Sequence, residues 1–134
     1  MVVYRVCSKD ELFKILDSRD FYNVGRYIER NVGTMNNHKY QKGKRYLHFF
    51  KEKISILNLD VQNDSYVCTY IIPDKILFEY EGKGYYYNIE LVTFAVTEYA
   101  IPTDLLNISN FLCYETFNST KILNNKRMKK IKVK

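Results

Sequence analysis

The stretch TFAVTEYAIPTDLL, residues 93–106, decides how this chain is read. Alternation sets Phe94, Val96, Glu98 and Ala100 on one face of a strand and Ala95, Thr97, Tyr99 and Ile101 on the other, which leaves Glu98 as the one misplaced charge. Pro102 has no amide proton and ends the ladder, and Thr103 and Asp104 carry side chains that can cap a short helical turn expected immediately after it. A carboxylate near the end of an apolar strand is held by rigid backbone, a plausible place for chemistry. The competing reading is an inward-pointing charge that guards an edge strand.

The same grammar occurs upstream. YIIPDKIL at residues 70–77 and YAIPTDLL at 99–106 each run from an aromatic strand through proline into a helical start. The β-branched and aromatic run YVCTYII, residues 66–72, reads as a central strand, with a short helix expected over 75–80. EGKGYYYNIELV, residues 81–92, reads as a turn leading into a further strand. Residues 110–116 read as another strand, and 128–133 as an edge blunted by lysines.

Toward the N-terminus, VVYRVC (residues 2–7) is a short strand in which Arg5 stands among apolar neighbours and needs an anion, either a ligand or a structural acid. Ser8 and Glu11 have the spacing of a capping box, and Leu12, Phe13, Ile15 and Leu16 give one apolar helical face, so a helix is expected over 10–17. Residues 18–43 sustain no period and read as a long ordered loop with a turn of helix at 25–30. The loop holds Asn23, Arg26, Arg30, His38 and Tyr40, groups suited to a phosphate-bearing ligand; the alternative is a flexible connection. KRYLHFF (44–50) alternates Tyr46, His48 and Phe50 against Arg45, Leu47 and Phe49, and a short helix is expected over 51–58. His48 is either a hydrogen-bonded structural residue or a pocket-lining one.

Composition bounds these readings. With 134 residues and 46% hydrophobic content, the chain is the size of one domain with one core, taken as residues 1–125 followed by a basic tail, 126–134. The net charge of +6 resides in that tail: its six Lys and Arg, taken from 21, leave 15 cations against 15 acids before it. Such a tail either helps hold a polyanion or is a solvated terminus. Cys7, Cys68 and Cys113 are odd in number and widely spaced, which favours buried free thiols over disulfides or zinc. The 13 tyrosines suit half-buried sheets and stacking surfaces alike. No apolar run approaches the roughly 18 residues of a membrane span, so a cytoplasmic protein with no membrane partner is expected. The serine nucleophile elbow, the Walker loop, HExxH and G-x-G-x-x-G are all missing.

A strand with a polar key residue, a helix, a long polar loop, an aromatic strand and a late strand with Glu before Pro follow one another here. In that order the chain resembles the ADP-ribosyltransferase fold, and within it the DNA-targeting ADP-ribosyltransferase toxins of bacterial toxin–antitoxin systems. YRVCSKDELFKIL (4–16) is similar to their first strand and helix, although Arg5 stands where that strand usually has His, and Cys7 where it has Thr. NVGRYIER (23–30) and HKYQKGKRYLHFFKEKISIL (38–57) are similar to their NAD-binding loop and the aromatic strand after it. TEYAIP (97–102) is similar to the strand that supplies the catalytic glutamate. The chain is shorter than most of those toxins, and it lacks the Ser-Thr-Ser motif of the branch that has Arg in its first strand.

The resemblance implies a small α+β domain with mixed or antiparallel sheets and short flanking helices. It implies NAD as co-substrate, cleavage of the nicotinamide–ribose bond, and transfer of ADP-ribose to a macromolecular acceptor, nucleic acid in preference to protein. It also implies a bacterial or phage toxin or anti-defence effector, with an antitoxin partner. Glu98 would be catalytic. Arg5, Arg26, His38, Tyr40, Tyr46, His48 and Phe50 would bind the cofactor: arginines at the pyrophosphate with Arg30 and Arg45 in reserve, aromatic rings at nicotinamide or adenine, histidines at the ribose. No step needs a metal. Two other classes fit the residues: a non-catalytic nucleic-acid-binding or protein-interaction module with a structural Glu98, and a metal-independent ribonuclease toxin using His38 or His48 with a lysine.

Overall fold

The computed structural model describes residues 1–33, 39–53, 65–87 and 93–117. β1 (Val2–Ser8) runs directly into α1 (Lys9–Ser18), because Ser8 leaves the strand with its side chain accepting from the Glu11 amide at 3.2 Å. α1 stops where Arg19 turns left-handed, at φ 58°, and returns its N–H to the Ile15 carbonyl. Leu12 and Ile15 are the buried face of this helix, one turn apart.

The next segment differs from the expected loop with a helical turn. It contains β2 (Arg26–Tyr27) and a small hairpin of β3 (Val32–Gly33) with β4 (Lys39–Tyr40). β2 lies along β5 (Arg45–Phe50), with Arg26 opposite Tyr46 and Tyr27 opposite Arg45. Two-residue strands have no period to detect. β2 forms because β1 bridges β5 only at Tyr4–Phe50, which leaves the first half of the β5 edge to another partner. Most of the helix expected over 51–58 lies outside the described residues.

β6 (Ser65–Ile71), α2 (Asp74–Glu79), β7 (Glu81–Tyr87), β8 (Thr93–Pro102) and β9 (Phe111–Thr116) complete the order. Among the described residues the result is an α+β fold, mostly β: a seven-stranded antiparallel sheet along the path β7-β8-β5-β1-β6-β9, with β2 beside β5, and two short helices. Numbered in chain order, the six strands of that path run 4-5-2-1-3-6. β8 lies between β7 and β5, so Glu98 does not guard an edge. The proline corners are alike in backbone, Pro73 at φ −56°, ψ 137° and Pro102 at φ −60°, ψ 134°. Neither uses a side-chain cap, so Thr103 and Asp104 do not cap the 3-10 turn they begin.

Register divides the sheet into two faces. Val3, Leu47, Phe49, Tyr70, Tyr99 and Ile101 bury themselves on one face against Leu12 and Ile15 of α1 and Leu77 of α2, forming the main core. Each fully buried Leu or Ile there contributes about 1.5–3 kcal/mol of transfer free energy. The other face carries two smaller clusters, Ile28–Tyr40–Tyr46–Ala100 and Phe50–Val67–Val96. Cys7 and Cys68 are buried free thiols with their sulfurs 3.4 Å apart, whereas Cys113 is exposed on β9. Among the described residues no helix is long and apolar enough to cross a membrane. The basic tail, 126–134, lies outside the described residues.

Candidate functional site

Glu98 projects from the face that carries the smaller clusters. It is 4% exposed, and it is the buried charged residue among the described ones. Phe50 stands opposite it on β5 and Gly82 opposite it on β7, so β7 puts no side chain against its flank. A carboxylate taken out of water needs hydrogen-bond donors. His48 supplies one: Nδ1 lies 2.7 Å from Glu98 Oε1.

The other imidazole nitrogen, Nε2, lies 2.7 Å from the Tyr40 hydroxyl. A carboxylate cannot donate, so with Glu98 ionised Nδ1 carries the proton; neutral His48 then accepts from Tyr40 at Nε2, and protonated His48 donates there. The three side chains therefore form a relay from a buried carboxylate to a phenol through a ring that is 28% exposed at its side chain. Burial raises the Tyr40 pKa first, Glu98's charge adds to this, and Arg26 works against it. Arg26 is an exposed residue opposite Tyr46, on the same sheet face as the relay.

The rings near the relay are walls. Tyr40 packs edge-on against Tyr46 at 4.8 Å, and the Tyr46 hydroxyl accepts from the Gln41 amide at 3.0 Å. Phe50 packs with Val67 and Val96. All three residues are nearly fully buried.

Arg5 is on the opposite face of the sheet. Glu11 holds its guanidinium in a fork, Nε to Oε2 at 2.9 Å and Nη2 to Oε1 at 2.7 Å. This answers the question the sequence left open about its anion: Glu11, in the first turn of α1, is the structural acid, and its carboxylate is on Arg5. Burial works against the charge, but the hydrogen bond and the charge of Glu11 outweigh it, and the arginine pKa is held above its ordinary value. Nη1 donates to the His48 carbonyl at 3.1 Å, in the fork where β5 passes from β2 to β1. Arg5 thereby fixes the backbone of His48 from behind.

The structure brings Glu98, His48, Tyr40, Tyr46, Phe50 and Arg26 to one face and sets Arg5 on the other. His38 lies outside the described residues, Arg30 is exposed, and Arg45 points toward Tyr27. Among the described residues no three His, Cys, Asp or Glu side chains converge as a metal site. Compared with known proteins, the chain matches no family model, no curated protein and no solved structure.

Proposed function

We propose that the protein is an NAD-dependent ADP-ribosyltransferase acting on a macromolecular acceptor, with nucleic acid favoured over protein. The observation that carries this is the Tyr40–His48–Glu98 chain, two contacts of 2.7 Å on one sheet face beside Arg26. Adjacency supports it further: β1, β5 and β8, the three strands on which the resemblance to this family rests, are consecutive neighbours in the sheet.

In this reading the bond between nicotinamide N1 and ribose C1′ breaks, and its electron pair leaves with neutral nicotinamide. Positive charge develops at C1′, and the negative charge of Glu98 stabilises it. A lone pair of the acceptor forms the new bond to C1′, the acceptor's proton passes to the Tyr40 hydroxyl as that hydroxyl's own proton moves to His48 Nε2, and the Glu98 carboxylate favours the transfer by stabilising the imidazolium. Arg26 holds the pyrophosphate. NAD labelled in its adenylate half tests the proposal. The expected results are nicotinamide release and label transfer that Glu98→Gln removes.

A second reading has its own observation. Glu98 is almost fully buried, and so are the aromatic residues beside it, as in a polar network that only specifies packing. The protein would then be a non-catalytic nucleic-acid-binding or interaction module. Absence of nicotinamide release, with a melting temperature that NAD does not move, selects this reading.

A further inference from the structure

A cleft of ≈ 590 Å³ opens where the loop after α1, β2, the start of β5 and the turn after β8 meet. Neither His48 nor Glu98 is among its lining residues, and its volume is in the range of small-ligand sites. Two tyrosines line it and remain open to solvent, Tyr22 at 77% and Tyr27 at 51% exposure. Both are held. The Arg45 guanidinium lies 5.3 Å from the centre of the Tyr27 ring while its Nη1 donates to the Gly25 carbonyl at 3.0 Å. The Tyr22 amide donates to Asp20 Oδ1 at 3.1 Å. The cleft therefore presents aromatic surface on ordered backbone, the arrangement that stacking requires.

Its charges define the ligand further. Lys44 and Arg45 are balanced by Asp20 and Asp104, and Lys44 Nζ lies 3.8 Å from Asp104 Oδ2. Two charges of each sign give no net field for a polyphosphate. They do give acceptors and donors at the rim of an aromatic platform, which suits a flat, uncharged ring with hydrogen-bonding edges. We infer that this cleft is a nucleobase-binding site, in which a base bearing an exocyclic amino group stacks on an exposed tyrosine and donates from its edge to a carboxylate. The site does not depend on the transferase reading. The base comes either from a free nucleotide or from a single strand of nucleic acid.

The test is titration of the full chain, with ¹³C-labelled tyrosine rings, by guanosine 5′-monophosphate, by ribose 5-phosphate, and by a single-stranded octamer containing one guanine. The nucleotide is expected to move the Tyr22 and Tyr27 ring signals saturably, and ribose 5-phosphate to leave them in place. Tyr22→Leu or Tyr27→Leu is expected to weaken nucleotide binding at least about fivefold, the lower end of ring–base stacking, with an unchanged melting temperature. An octamer that binds about tenfold tighter than the nucleotide identifies a strand as the source, and equal affinity identifies free nucleotide. The inference is overturned if ribose 5-phosphate moves both signals as the nucleotide does, or if the nucleotide moves neither at about 10 mM. It is also overturned if both leucine variants bind like the parent.

Discussion

His48 Nδ1 and Glu98 Oε1 lie 2.7 Å apart although the two residues are not opposite one another in the ladder: His48 faces Ala100, and Glu98 faces Phe50. The contact is diagonal. A methyl side chain opposite His48 leaves room for the imidazole to lean along β8 toward the carboxylate two residues away.

Glu98→Gln keeps an acceptor oxygen and removes the charge. Stability to urea is expected to fall by about 1–2 kcal/mol, the worth of a charge-assisted hydrogen bond over a neutral one. On the proposed function, nicotinamide release falls at least about 100-fold. A variant with full stability and full activity would remove Glu98 from both roles.

Breaking the Arg5–Glu11 fork leaves a partly buried charge without its partner. Arg5→Met alone is expected to cost about 1.5–3 kcal/mol, and Arg5→Met with Glu11→Leu less, because the double variant leaves neither charge stranded. Urea denaturation of the two singles and the double forms the cycle. Arg5→Lys keeps the charge and loses the fork, so it is expected to shift the His48 ring resonances through the carbonyl that Arg5 holds.

Tyr70 is fully buried, and its hydroxyl has no hydrogen-bond partner among the described residues. Its ring meets Phe49 at 4.8 Å and Phe111 at 5.3 Å, both edge-on, which a phenylalanine preserves. Tyr70→Phe is therefore expected to stabilise the protein by about 1 kcal/mol, read as a higher melting temperature. Burial first, and the charge of Glu11 after it, raise this phenol above its ordinary value of 10.0. The unfolded chain loses the proton near pH 10 while the folded chain keeps it, so stability drops as pH rises beyond about 10. Urea midpoints at pH 9 and 11 are expected to fall less for Tyr70→Phe than for the parent.

Two glycines with positive φ separate backbone strain from steric clash. Gly25, at φ 93°, would bring a Cβ within 2.6 Å of the Tyr46 carbonyl oxygen, in the strand pair that joins β2 to β5. Gly43, at φ 83°, has nothing within 4 Å. Gly43→Ala is expected to cost about 1 kcal/mol, the left-handed penalty alone, and Gly25→Ala at least about twice that. Equal costs by thermal denaturation would show that β2 gives way without resistance.

Period was legible in most of the longer elements, although the first half of β7, with glycines at 82 and 84, reads as a turn. Residues 93–102 alternate, so the sequence by itself set Glu98 on the face of Val96 and Ala100; Ser8 and Glu11 fixed the start of α1; the two Ile-Pro corners announced strand ends. What lies opposite each residue was not legible, because pairing joins positions far apart in the chain. Only the tertiary structure put β8 between β7 and β5, turned Arg5 away from Glu98 and onto Glu11, and set the ring of His48 between Glu98 and Tyr40. The two-residue strand β2 was invisible for a related reason: it is stabilised by the vacant edge of β5, and nothing within Arg26 and Tyr27 encodes that edge.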